Sequence, residues 1–156
     1  MKIKPQVLAE TLFAELIQKK YCSLPAGVQV ERTAIPVIET KIRLYQFSSI
    51  MLAVLNAAEK TPTFSLVQQY LEQLYFPPTL QQGVNILLDV RSAMKDLGNL
   101  LTPQEQQSQM LWARNWLLSV DVDERNPATL AVFALSWMDY YITVAESLKD
   151  FIPTIL

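Results

Sequence analysis

The chain has no histidine. That absence removes the Ser-His and Cys-His nucleophile systems, HExxH zinc sites, phosphohistidine relays and haem held by an axial His. A single cysteine, Cys22, excludes an internal disulfide and any thiolate cluster for zinc or iron–sulfur, and gives no sign of an oxidising compartment. The only glycines are Gly27, Gly83 and Gly98, and their spacing forbids both GxGxxG and the P-loop, so phosphates have no glycine cradle. No Asn-x-Ser/Thr acceptor occurs. Neither charge is in excess: 13 basic and 15 acidic residues give a net charge of −2, which supplies no electrostatic reason for nucleic acid or an anionic membrane as partner. Repeats and low-complexity runs are missing too.

What remains is apolar. Hydrophobic residues make up 51% of 156 residues, enough for one domain with a real core. Scarce Gly beside abundant Leu, Ala, Gln and Glu favours helices over a turn-rich β fold. Within the first residues, Glu10 and Glu15 interrupt what a secretory leader would keep uncharged, so no leader is expected and the default location is cytoplasmic.

Six stretches carry helical periodicity. Residues 5–20 open on Pro5 and align Leu8, Leu12, Phe13, Leu16 and Ile17. A connection punctuated by Pro25 and Gly27 covers 21–35. Pro36 opens a second helix to about residue 59, whose polar or small positions Glu39, Arg43, Gln46, Ser49, Ala53, Asn56 and Lys60 form one narrow stripe on an otherwise apolar girth. The third, 64–75, sets Phe64, Val67, Tyr70, Leu71, Leu74 and Tyr75 against Gln68, Gln69, Glu72 and Gln73. Thr79 and Gln82 have capping-box spacing ahead of a fourth helix, 80–97, with Gln81, Asn85, Asp89, Ser92 and Asp96 as its polar line and Gly98 placed to end it in a left-handed conformation. Thr102-Pro-Gln-Glu105 combines an N-cap, a first-position Pro and a third-position Glu before a fifth helix, about 103–119. Asn126-Pro127 repeats the device for the last helix, 128–149, which holds no charge from Ala128 to Met138. The expected fold is all-α: a single domain, 1–156, forming a bundle of five or six antiparallel helices around the second and last.

The last helix approaches the length of a membrane span, but Asp139 lies inside it and Pro127 just before, so a span is not expected. Ser136, Asp139, Thr143, Glu146 and Asp150 recur every three or four residues, continued upstream by Val132 and Thr129, which places Asp139 on a solvent- or partner-facing edge. A buried Asp139 would instead need an arginine such as Arg43 or Arg91.

Weak motif matches have bland explanations. Ser92-Ala-Met-Lys95 has nucleophile–base spacing without its accompanying elements, and Ser92 already belongs to a polar stripe. Asp121-Val-Asp123-Glu124 opens like a calcium loop, but Arg125 takes the next ligand position and no turn Gly follows. Cys22 sits near Lys19 and Lys20, which can lower a thiol pKa, yet such residues more often pack. Trp112 and Trp116, four apart, suit core packing or a partner-facing hot spot. Tyr140 and Tyr141 fall on different sides of their helix, one for the core and the other for a hydrogen bond at its rim.

No catalytic, metal or cofactor residue is expected. The apolar girth of two helices points to a non-enzymatic helical protein acting through contacts with another chain or a second copy, as an oligomeric subunit, assembly factor, adaptor or inhibitor. Candidate interface residues are Trp112, Trp116, Ser136, Asp139, Tyr140 and Thr143. The alternative is a module that holds an apolar small molecule or lipid between the second and last helices. Nucleic acid as partner and an enzyme working without His stand behind both.

Overall fold

The computed structural model describes residues 4–17, 24–25, 28–58, 64–75, 83–102 and 105–151. It is all-α: helices α1 (Pro5–Leu12), α2 (Ile35–Ala58), α3 (Phe64–Tyr75), α4 (Gly83–Leu101), α5 (Gln106–Leu118) and α6 (Pro127–Phe151), with no strand among the described residues. A π-helical turn, Phe13–Ile17, continues α1, and a 3-10 turn, Arg32–Ala34, leads into α2.

Helix α2 is the hub. It packs against α3, α4 and α6, while α1 lies on α3 and α5 lies on α6. Every residue from Tyr45 to Met51 is buried, so this segment is enclosed around its whole girth. The expected polar stripe therefore fails in the middle of the helix. Glu39, Arg43 and Asn56 are exposed, but Gln46, Ser49 and Ala53 are buried, and Lys60 lies outside the described residues. The serines can be enclosed because each hydroxyl bonds back to its own helix: Ser48 Oγ to the Leu44 carbonyl at 2.7 Å and Ser49 Oγ to the Tyr45 carbonyl at 2.8 Å. Gln46 has no such solution. It is 1% exposed and its Nε2 donor has no partner among the described residues.

The third helix has the expected bounds, with Val67 and Leu71 buried and Gln69 and Gln73 exposed. Two local signals misplace their helix ends. Gly98 does not terminate α4, which runs on to Leu101. Its carbonyl is still a capping point, because Thr102 returns both its backbone N–H (3.1 Å) and its hydroxyl (2.8 Å) to Gly98 O. Thr102 thus closes α4 and does not cap α5. The fifth helix begins at Gln106, after Glu105, and no side chain bonds into its cap. The Thr79 cap lies outside the described residues, as does Cys22, and the first α-helix gives way at Phe13 to the π turn.

The α5–α6 connection is built from two local motifs. At the end of α5, Val122 N–H reaches Leu117 O (2.9 Å) and Asp121 N–H reaches Leu118 O (3.0 Å), the paired bonds of a Schellman motif. Buried Leu117 and Val122 supply its apolar contact. Asp121 occupies the left-handed position, φ 62°, where glycine is usual. Five residues on, Asn126 caps α6 as its sequence suggests. Its Oδ1 accepts from Ala128 N at 3.0 Å, its carbonyl accepts from Leu130 N, and Pro127 takes the first helical position.

Two substitutions follow. Asp121→Gly relieves the left-handed strain and stabilises the fold by about 0.5–1 kcal/mol in urea unfolding, whereas the β-branched Asp121→Val destabilises it. Gln46→Met keeps the side-chain volume and removes an unpaired buried donor; it raises stability by about 1–2 kcal/mol in the same assay, and a loss would show that the amide is satisfied.

Candidate functional site

Polar chemistry gathers where α2, α4 and α5 meet. Tyr45 is the centre. Its ring lies 6.2, 5.7 and 5.7 Å from the rings of Trp112, Trp116 and Trp137, all the tryptophans in the chain. Phe133 and Tyr140 extend the cluster, 5.0 Å from Trp116 and 6.1 Å from Trp137 respectively. Edge-to-face contacts dominate, the arrangement aromatic quadrupoles prefer.

Helix α4 contributes Asp96. Tyr45 Oη donates to its Oδ2 at 2.6 Å, and Trp112 Nε1 donates to its backbone carbonyl at 3.2 Å, so one residue ties α4 to both α2 and α5. Burial and the hydrogen bond to Asp96 push the Tyr45 phenol far above its usual pKa. One turn before Tyr45 on α2, Lys41 lays its ammonium over the Trp116 ring (4.9 Å to the centroid) and the Tyr45 ring (5.6 Å) and hydrogen-bonds the Ser119 hydroxyl. Desolvation lowers the Lys41 pKa, and the nearby Asp96 charge partly restores it. The ammonium also sits at the C-terminal end of α5, where the helix dipole favours a cation.

A lysine bonded to a serine invites comparison with Ser-Lys nucleophiles, but the surroundings oppose it. The Ser119 hydroxyl donates to Trp116 O. The N–H groups of Ser119, Val120, Asp121 and Val122 are all spent on α5 carbonyls, which leaves no amide at those positions for an oxyanion. The C-terminal end of a helix also disfavours a developing negative charge. These groups hold a cation in place; they do not activate an alcohol.

Two open depressions of about 500 Å³ each share Val37, and Lys41 lines the first. The first is walled by Pro36, Val37, Thr40, Lys41 and Leu44. The second runs from Glu31 and Ala34 to the α5 cap, Ser119 to Val122.

The residues singled out from sequence separate into two groups. Trp112, Trp116 and Tyr140 are buried in the aromatic cluster. Ser136 is half-buried and bonds the Phe133 carbonyl, while Asp139 and Thr143 are exposed on the outer side of α6. Asp139 therefore lies on the edge its spacing implied and needs no arginine. Tyr141, half-buried, accepts a hydrogen bond from Asn56 Nδ2 at 2.7 Å, a rim contact between α2 and α6. Ser92 and Lys95 are both exposed. In the acidic run, Asp123 is held by Arg125 (3.1 Å) and Arg114 (3.8 Å), and Glu124 Oε1 accepts from Asn126 N. The Arg125 hydrogen bond holds the Asp123 carboxyl below its usual pKa. Among the described residues no three Asp, Glu, Cys or His side chains converge as metal ligands.

Sequence reasoning placed Asp96 on the polar line of its helix without giving it a role, and it passed over Lys41, Tyr45 and Ser119. A signal existed for Lys41 and Tyr45: four apart, they put polar atoms on one face of a helix that must be wrapped. No protein-family model, curated protein or solved structure matches the chain.

The Tyr45–Asp96 bond has a pH signature. The phenol's raised pKa means that the folded state keeps its proton above pH 10 while the unfolded state loses it. Its contribution is therefore fully present below about pH 10 and declines as pH rises beyond that value. Tyr45→Phe should cost about 1–2 kcal/mol at neutral pH. The gap between wild type and variant should narrow between about pH 9.5 and about pH 11.5 in denaturant titrations.

Proposed function

We propose that this chain is a non-enzymatic helical protein that works by docking its outer α6 face on another protein chain. One observation carries the proposal. Helix α6 buries one side in the aromatic cluster and leaves Val132 (58%), Leu135 (49%) and Ile142 (48%) exposed on the other, at spacings that align them. From Ala128 to Met138 nothing on that helix is charged. Asp139, Thr143 and Glu146, exposed beside the ridge, give it the polar border usual for an apolar contact surface.

Helix α6 is also long and apolar enough to cross a membrane by length and composition. We favour a protein partner because α6 seats Trp137, at 0% exposure, among Tyr45, Trp116 and Phe133, a packing that a lipid-wrapped helix would forfeit. A cytoplasmic setting accords with this proposal. The alternative of an apolar ligand between α2 and α6 has less support, since Tyr45–Trp137 and Asn56–Tyr141 contacts fill points along that seam.

Sedimentation velocity on the purified chain reads self-association, and a tagged copy in extract reads capture of a different protein. Val132→Glu with Leu135→Glu should abolish whichever association is found while leaving thermal unfolding nearly unchanged, because both side chains are already about half exposed. A strictly monomeric chain that captures nothing the double variant loses would overturn the proposal.

A further inference from the structure

Lys41 is the unusual cation of this protein. Its ammonium is half-buried, yet among the described residues it makes no ion pair. Asp96, the nearest source of negative charge acting on it, has an oxygen committed to the Tyr45 hydroxyl. An ammonium has three donors, and only the bond to Ser119 uses one here. The rings of Trp116 and Tyr45 shield one flank of the charge. Lys41 also lines a shallow open groove along α2 with Pro36, Val37, Thr40 and Leu44. The Thr40 hydroxyl is turned back to the Pro36 carbonyl at 2.8 Å, which leaves this wall largely hydrocarbon.

A buried-side cation with spare donors beside an apolar wall matches a ligand with one negative end and an apolar body. The neighbouring cavity limits the charge. Glu31 and Asp121 line it, so a second anionic group reaching past Val37 would meet two carboxylates. Size is limited as well. Lys41 lies five helical steps after Pro36, a rise of about 7.5 Å, which is roughly the reach of a six-carbon chain.

We propose that Lys41 anchors the carboxylate of a small apolar monocarboxylic acid whose hydrocarbon body lies along Pro36, Val37, Thr40 and Leu44. The site is separate from the outer face of α6, and its test does not depend on whether that face binds a protein.

Amide chemical-shift titrations of the full chain with hexanoate, 1-hexanol and acetate test the site. Hexanoate should shift the amides of residues 37–44 and 119–122 saturably. It should bind at least about tenfold more tightly than 1-hexanol, which lacks the charge, and acetate, which lacks the body. Lys41→Gln should reduce hexanoate to the affinity of 1-hexanol. Val37→Trp, at a position 59% exposed and therefore tolerant of substitution, should block both by filling the groove. Equal affinities for hexanoate and hexanol, shifts confined to other residues, or undiminished hexanoate binding by Lys41→Gln would each overturn the proposal. If Lys41→Gln does not fold, retained hexanoate binding by Val37→Trp overturns it on its own.

Discussion

The structure depends on the enclosure of one helical segment. From Tyr45 to Met51, α2 shows no face to solvent, and α3, α4 and α6 all pack against the helix. A helix in this position cannot use amphipathicity to choose its orientation, because every direction is inward. Orientation must come from specific contacts. Tyr45 provides them on one side, through its rings of tryptophan neighbours and its bond to Asp96. Phe47, stacked on Tyr75 at 4.0 Å, provides them toward α3. Ser48 and Ser49 keep the segment narrow, spending their hydroxyls on backbone carbonyls one turn back.

The outer helices answer to that hub in different ways. Helix α4 is fastened through Asp96, whose side chain and carbonyl serve α2 and α5 separately. Helix α5 is tied to α6 by a short connection whose two ends are both specified by backbone hydrogen bonding, a Schellman motif closing one helix and an Asn cap opening the next. Left-handed backbone at Asp121 is the cost of making that turn without glycine. Helix α6 then covers α2 with one side only. Its remaining side carries the exposed apolar ridge, and the contrast between a saturated inner face and an unsaturated outer one is the observation behind the proposed docking role.

Lys41 shows how the same packing can create chemistry. Enclosing Tyr45 required aromatic walls, and those walls desolvate the lysine one turn earlier. The end of α5 supplies partial negative charge in compensation. A cation positioned this way is held by rings, a hydroxyl and a helix end instead of a paired carboxylate.

Sequence alone determined the class of fold and much of its segmentation. Helical periodicity located α3 to the residue, and Asn126-Pro127 marked the start of α6, because both signals act within a few residues of chain. The spacing of Asp139, Thr143 and Glu146 likewise identified the outer edge of α6. Tertiary structure decided the rest. Gly98 and Thr102 look like a helix end and a helix start, yet α4 continues through the glycine and takes the threonine hydroxyl onto the same carbonyl, a choice between two local solutions that sequence leaves equal. Gln46 and Ser49 read as part of a narrow polar stripe on α2, yet both are buried in a helix that packs against three others. The meeting of Lys41, Tyr45, Asp96 and Ser119 is the clearest case. They are spread over two helices and the turn after a third, and no periodicity within one helix reports a contact between residues 78 positions apart. Local patterns record which side of a helix is apolar; only packing determines which helix covers it.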